Sequence, residues 1–269
     1  MKFKIAAFAD EASGSLTGQI EAMRQNGVSL LEIRGVDGEN ASYISKEKAG
    51  EIRKRLDNAG IGVWSLGSPF GKIGIGEDFS KHLDEFKRAL ELAEILGTKH
   101  IRLFSFYGVR EVEPVLAKLE KFVDATEGTG IILCHENEKG IFGDVATNCV
   151  QIHRVFPQIR AVFDPANFVQ CHEDTVKAWE MLAPYVEYMH IKDALSDGTV
   201  VPAGHGEGNL RYLLGQYSGE VVTVEPHLAV FEGFDKLEEG EKSKMQYTYG
   251  DSLTAFGVAV DALKDIIGR

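Results

Sequence analysis

Val186-Glu187-Tyr188-Met189-His190-Ile191-Lys192-Asp193 has the composition of a short strand: β-compatible residues, a polar end, then a loop from Ala194 to Thr199. His190 and Lys192 lie two apart, so their side chains leave the same face. One histidine at the end of one apolar strand is as a rule a packed or hydrogen-bonded residue. Three other apolar runs, however, end on a metal-capable residue in the same way: Ile131-Ile132-Leu133-Cys134-His135-Glu136, Ala161-Val162-Phe163-Asp164 and Val221-Val222-Thr223-Val224-Glu225. The end residues, at 136, 164, 190 and 225, are spaced by about one strand–helix unit each. Four successive strands therefore carry Glu136, Asp164, His190 and Glu225 to one rim of one sheet.

Outward from this core the alternation continues to both ends of the chain. Further strands are expected at 3–8, 29–34, 61–66 and 100–105. Helices are expected at 16–26, 45–59, 79–96, 113–127, 146–156, 173–183, 209–216 and 252–267. Ser45 is suited to cap the second helix, and Gly60 and Gly97 to end the second and third. Leu83, Phe86, Leu90, Ala93 and Leu96 mark the apolar face of the third. Eight strands alternating with eight helices predict a parallel sheet covered by helices. The first loop, Ala9 to Gly14, has no G-x-G-x-x-G, which counts against an open dinucleotide-binding sheet. The expected fold is a single (β/α)₈ TIM barrel over 1–269, with its site at the C-terminal rim of the strands. The polar stretch 231–249 is expected to be an insertion in the last βα loop.

With 269 residues, 44% apolar and 26% charged, the chain can bury a large core. A net charge of −12 argues against nucleic acid and anionic membranes as partners, though not against a small anionic substrate in a local basic pocket. Cys134, Cys149 and Cys171 form no C-x-x-C pair and read as reduced thiols of a cytoplasmic protein. The apolar run Ile5–Ala9 is too short for a signal peptide, and no run reaches the ~18 residues of a membrane span. Homo-oligomerisation is left open.

Two Glu, one Asp and one His suit a divalent ion that prefers oxygen and accepts one imidazole, Mn²⁺ first, then Mg²⁺, Co²⁺ or Zn²⁺. Lys192 could aim its cation at a substrate oxygen or be an ordinary rim lysine. Glu32 and Arg34 could bind substrate or pair with each other in the barrel mouth, and Arg102 is a similar case. His205 lies in Gly204-His205-Gly206-Glu207-Gly208, where glycines allow close approach of a ligand. His227 follows Glu225 by two, close enough to support it. Cys134 shares a face with Glu136, but nothing around it resembles a nucleophile–base signature, and it reads as core. Gly67-Ser68-Pro69-Phe70-Gly71-Lys72-Ile73 falls one residue short of a phosphate loop.

Together, Glu136-Asn137, Val162-Phe163-Asp164-Pro165-Ala166-Asn167, His190-Ile191-Lys192-Asp193, Glu225, the Gly204–Gly208 turn and Ile33-Arg34 resemble the xylose-isomerase-like TIM barrels, the sugar phosphate isomerase/epimerase group. The resemblance spans essentially the whole chain. It implies one divalent metal on Glu136, Asp164, His190 and Glu225. It also implies proton transfer by Glu136 and Glu225 through a metal-stabilised enediolate of a sugar or sugar phosphate, with Arg34, Asn167, Lys192 and His205 about the substrate. Asn167 and Glu138 stand where epimerase-type relatives often have His, which leaves the substrate open. An inosose-dehydratase-like lyase on a keto-polyol and a non-catalytic sugar-binding barrel are the alternatives.

Overall fold

Local chemistry delimits five of the eight barrel helices at their starts. Ser15, Ser45, Asp78, Asp174 and Asp251 accept hydrogen bonds from the backbone at the starts of their helices, and Gly60, Gly97 and Gly268 close theirs in the left-handed conformation. The computed structural model describes residues 3–230, 244–245 and 249–268.

The strands are β1 (Lys4–Ala7), β2 (Leu30–Ile33), β3 (Gly62–Leu66), β4 (His100–Leu103), β5 (Ile132–Glu136), β6 (Arg160–Phe163), β7 (Val186–Ile191) and β8 (Val221–Val224). They form a closed parallel barrel in which each pairs with its sequence neighbours and β8 pairs with β1. Helices α1 (Leu16–Gln25), α2 (Lys46–Ala59), α3 (Phe79–Leu96), α4 (Val112–Thr126), α5 (Ala146–Val155), α6 (Thr175–Leu182), α7 (Leu210–Gln216) and α8 (Ser252–Ile267) alternate with them. This is the expected (β/α)₈ barrel. The paired strands are shorter than expected, because polar ends such as Arg34, Asp164, Lys192 and Glu225 lie just past the ladder.

Some elements were not anticipated. Pro165–Gln170 is a short extra helix before α6, with Asp164 as its cap and Pro165 in its first turn. Short hairpins pair Gly35–Val36 with Glu39–Asn40 and Asp193–Ala194 with Thr199–Val201. The expected insertion at 231–249 lies mostly outside the described residues; Lys244–Met245 pairs with Thr199 and Val200. Among the described residues no helix is long and apolar enough to cross a membrane.

The buried stripe of α3 is rotated from the expected one: His82, Phe86, Ala89, Ala93 and Leu96 are buried, whereas Leu83 and Leu90 are half-buried. His82 lies on this buried stripe. Its Nε2 accepts the Gly71 N–H (2.9 Å), and its ring packs among Phe70, Phe79 and Phe122. Gly71 belongs to the glycine-rich loop after β3, which is strapped to the loop after β4 by Phe104 N–H to Phe70 O (2.8 Å) and Phe106 N–H to Gly71 O (2.9 Å). At φ +90°, with the Phe104 carbonyl where a Cβ would go, only glycine fits.

Gly71→Ala should therefore lose about 2–5 kcal/mol from backbone strain plus overlap, read as a lower urea midpoint. Burial, then Lys118, pushes His82 down to about 4. A histidine with a depressed folded pKa gives its full stabilisation above its ordinary pKa of 6.5 and loses it as pH falls toward 4. Wild type should lose more stability than His82→Gln across that window in urea titrations at stepped pH.

Candidate metal centre

Glu136 is the last residue of β5, Asp164 follows β6, His190 lies one residue from the end of β7, and Glu225 follows β8. All four are buried, and one ligand atom from each lies within 4.8 Å of the others. Ligands about 2.0–2.3 Å from one ion can be no more than about 4.6 Å apart across it, so the spacing is close to that of a single-ion site. His190 Nδ1 is 3.1 Å from Glu136 Oε1 and 3.5 Å from Glu225 Oε2.

The surroundings are strongly charged. Asp10, Glu11, Glu32, Glu136, Asp164 and Glu225 are six buried carboxylates, set among Arg34, Arg102, Lys192 and His190. Arg34 takes Asp10 in a fork, Nε to Oδ2 at 2.8 Å and Nη2 to Oδ1 at 3.0 Å, and reaches Glu11 Oε1 (3.0 Å) and Glu225 Oε1 (3.2 Å). Arg102 Nη1 is 3.2 Å from Glu136 Oε2. Lys192 Nζ is 3.0 Å from both Asp164 Oδ2 and Glu225 Oε2. Even so, among the described residues neither Glu136 Oε2 nor Asp164 Oδ2 accepts a hydrogen bond.

These neighbours set the titration. Burial raises Asp164 to about 7 against the pull of Lys192, with Glu225 and Glu136 adding to the rise. Burial also raises Glu11 to about 8 despite Arg34. For Glu225 burial is outweighed by Lys192, His227 and His190, and its carboxyl is held well below the usual range. Burial would lower His190, but Glu136 and Glu32 hold its proton well above the ordinary value. Six carboxylates stand among four cationic groups, and three carboxylates with one imidazole are a donor set that a divalent cation would balance. The residues present fit such an ion.

A family model described as xylose isomerase-like TIM barrel matches residues 20–227. The chain belongs to the xylose isomerase-like TIM barrel family. Solved structures of similar fold include the probable 3-DHS dehydratase AsbF of Bacillus anthracis, 14% identical with a TM-score of 0.75 over 98% of this chain and 99% of that one. The IOLI protein with a bound zinc atom is 16% identical, with a TM-score of 0.75 over 99% and 98%. An L-ribulose 3-epimerase is 16% identical, with a TM-score of 0.70 over 99% and 95%. At these identities the likeness is one of fold. No curated protein sequence matches the chain.

The other anticipated residues fall in different places. Asn167 donates to Asn137 O (2.9 Å) and stands 3.4 Å from Glu136 Oε1, so it lies against the quartet. Arg34 and Lys192 are ion-paired within the quartet's charge layer. His205 is not drawn in: it is exposed, on a turn whose organising group is Asp193. That buried carboxylate accepts from the N–H groups of Gly204 (2.9 Å), Gly206 (3.0 Å) and Gly208 (2.9 Å). A Cβ at Gly206 or Gly208 would run into it, which accounts for those two glycines. The sequence reading missed Asp10 and Glu11 as partners of Arg34, and Asn137 as a brace. Asn137 exchanges two side-chain hydrogen bonds with the Asp164 backbone (2.8 and 2.9 Å). Asn beside Glu136 was visible as a motif, but its partner in another strand was not. His227 gives its backbone N–H to Glu11 Oε2 (2.6 Å), and its ring lies 3.9 Å from Glu225 Oε1.

Arg34→Met would strand Asp10, Glu11 and Glu225 without their shared guanidinium. It should lose about 3–5 kcal/mol in urea unfolding, as for a broken buried pair. Removing the exposed Lys4–Glu220 pair by Lys4→Ala should change stability by no more than about 1 kcal/mol.

Proposed function

We propose that this chain is a divalent-metal-dependent isomerase or epimerase of a small keto sugar or sugar phosphate, with the ion on Glu136, Asp164, His190 and Glu225. The observation that carries the reading is the convergence of those four buried ligand groups on one point at the C-terminal rim of the barrel. The zinc in the IOLI structure and the epimerase among the proteins of similar fold support it. Mn²⁺ is the ion that best matches three carboxylates and one imidazole.

When bound, a divalent ion would supply Lewis acidity to a carbonyl and its neighbouring hydroxyl, making the adjacent C–H more acidic. The chain's own residues would do the rest. Glu136 and Glu225 come from different strands and each directs one oxygen toward His190 and the other toward a guanidinium. Arg102 and Arg34, permanently charged, hold these carboxylates in fixed planes. Such a weak base takes a proton only from an acidified carbon and returns it readily. Two carboxylates on opposite sides of the carbon would give epimerisation, and a single one shuttling the proton would give isomerisation. Burial of the whole cluster strengthens these electrostatic terms.

The fold likeness to the probable dehydratase AsbF favours a second reading, a lyase on a keto-polyol. It would need an acid for the departing hydroxyl. Lys192, its ammonium between Asp164 and Glu225, would hydrogen-bond the departing oxygen, while against burial those carboxylates hold its proton well above the ordinary lysine value.

Mn²⁺-loaded protein should move solvent deuterium into the carbon beside the carbonyl of at least one member of a ketose and ketose-phosphate panel, followed by NMR, and EDTA should abolish this. Glu225→Gln, reloaded with metal, should fall by about 10²–10⁴-fold, the usual worth of a general base. Glu136→Gln should match it in an epimerase and differ from it in an isomerase or lyase; only a lyase yields a dehydrated product. Wild-type turnover by metal-loaded Glu225→Gln would rule out proton transfer by Glu225, and absence of exchange and dehydration across the panel would favour a binding barrel.

A further inference from the structure

His190 is fully buried, and its two ring nitrogens face two different sets of carboxylates. Nδ1 looks up at the quartet, 3.1 Å from Glu136 Oε1 and 3.5 Å from Glu225 Oε2. Nε2 looks across the barrel at β2, 3.3 Å from Glu32 Oε2. Glu32 is itself inaccessible to solvent, and it is fixed from its other oxygen: Tyr188 OH donates to Oε1 at 2.8 Å and lies 3.2 Å from Ser65 Oγ. Phe8 packs edge-on against the imidazole at 5.2 Å.

We propose that Glu32 is the positioning residue that decides which nitrogen of His190 meets the divalent ion: it accepts a hydrogen bond from Nε2–H and leaves the Nδ1 lone pair for the ion. The inference rests on the reading that the quartet holds such an ion.

Once an ion takes the place of one ring proton the imidazole is neutral, and one arrangement of the neutral ring fits these neighbours. A neutral imidazole carries one N–H and one lone pair. With the proton on Nδ1, the Nε2 lone pair would face the Glu32 carboxylate, anion against lone pair, while an N–H would point where a cation has to sit. Turning the ring over would replace both nitrogens with C–H groups and lose both interactions. Only Nε2–H to Glu32 satisfies the carboxylate and frees a lone pair toward Glu136, Asp164 and Glu225. A carboxylate behind a ligating histidine also makes its free nitrogen a better donor to a metal. Tyr188 and His190 alternate on β7, so one strand face supplies both the ligand and the hydroxyl that steadies the ligand's partner.

The test uses Zn²⁺, which is diamagnetic, on the full chain. Histidine-labelled protein is examined by long-range ¹H–¹⁵N NMR, with His190 assigned by its loss in His190→Gln, and Zn²⁺ affinity is measured by chelator competition. Wild type should show the His190 proton on Nε2 and a metal-shifted Nδ1. Glu32→Gln should bind Zn²⁺ about 10–100-fold more weakly and shift the Nε2–H resonance, and Tyr188→Phe should show a smaller loss in the same direction. A protonated Nδ1 in Zn²⁺-loaded wild type, or wild-type affinity in Glu32→Gln, overturns the assignment while leaving the metal site standing. If Glu32→Gln does not fold, the wild-type spectrum and Tyr188→Phe decide. A wild type that binds no divalent ion overturns the reading of the quartet and this inference with it.

Discussion

Burying six carboxylates in one barrel mouth demands positive charge from within, and the way it is supplied organises the top of the molecule. Arg34 serves three of them at once, Arg102 holds Glu136, and Lys192 bridges Asp164 and Glu225. Planar guanidiniums suit this work, because one fork can satisfy two carboxylate oxygens while its face rests on an aromatic ring. Phe8 supplies that ring for both arginines, with the guanidinium carbons 4.4 and 5.1 Å from its centroid. The supply still falls short. Burial leaves Asp164 near 7 and Glu11 near 8, both far above ordinary carboxylates.

Below this charged layer the barrel closes on apolar side chains by the same period-two rule that lifts the charges above it. Along β7, Tyr188 and His190 point inward in succession, with Lys192 next beyond the strand end; along β5, Cys134 precedes Glu136. Cys134, Val162 and Tyr188 pack together in the barrel interior. Burial raises the Cys134 thiol well above its usual range, so it stays an inert packing group. The transition from packing to chemistry therefore takes place within two residues of each strand.

The loops hold the rim in place by backbone hydrogen bonds to side chains. Asp193 gathers three glycine amides, Asn137 braces the Asp164 backbone, and the loop after β3 is strapped to the loop after β4. On that outer ring Glu138 pairs with Lys72 at 2.8 Å. That ion pair sets the charge pattern of the rim beside the quartet. Proteins of similar fold include a probable dehydratase and an epimerase, so the fold by itself does not fix the chemistry.

Periodicity, caps and the recurrence of metal-capable strand ends were enough to derive the barrel and to single out Glu136, Asp164, His190 and Glu225. Each of those signals is local: a strand alternates, a helix begins on Ser or Asp, and a chain that repeats the unit eight times closes on itself. The Asp164-Pro165 start of the short extra helix was equally local and went unread. Pairings between distant strands were of another kind. Nothing in Arg34 names Asp10 and Glu225 as its partners, nothing in Glu32 says that it faces Nε2 of His190, and nothing in His205 says that its turn is folded about Asp193 and leaves it exposed. Those choices follow from the stagger of strands around a closed barrel, which brings side chains far apart in sequence into contact, Arg34 to 3.2 Å from Glu225 and His190 to 3.3 Å from Glu32, and from desolvation, which makes a buried charge take the partner that geometry offers.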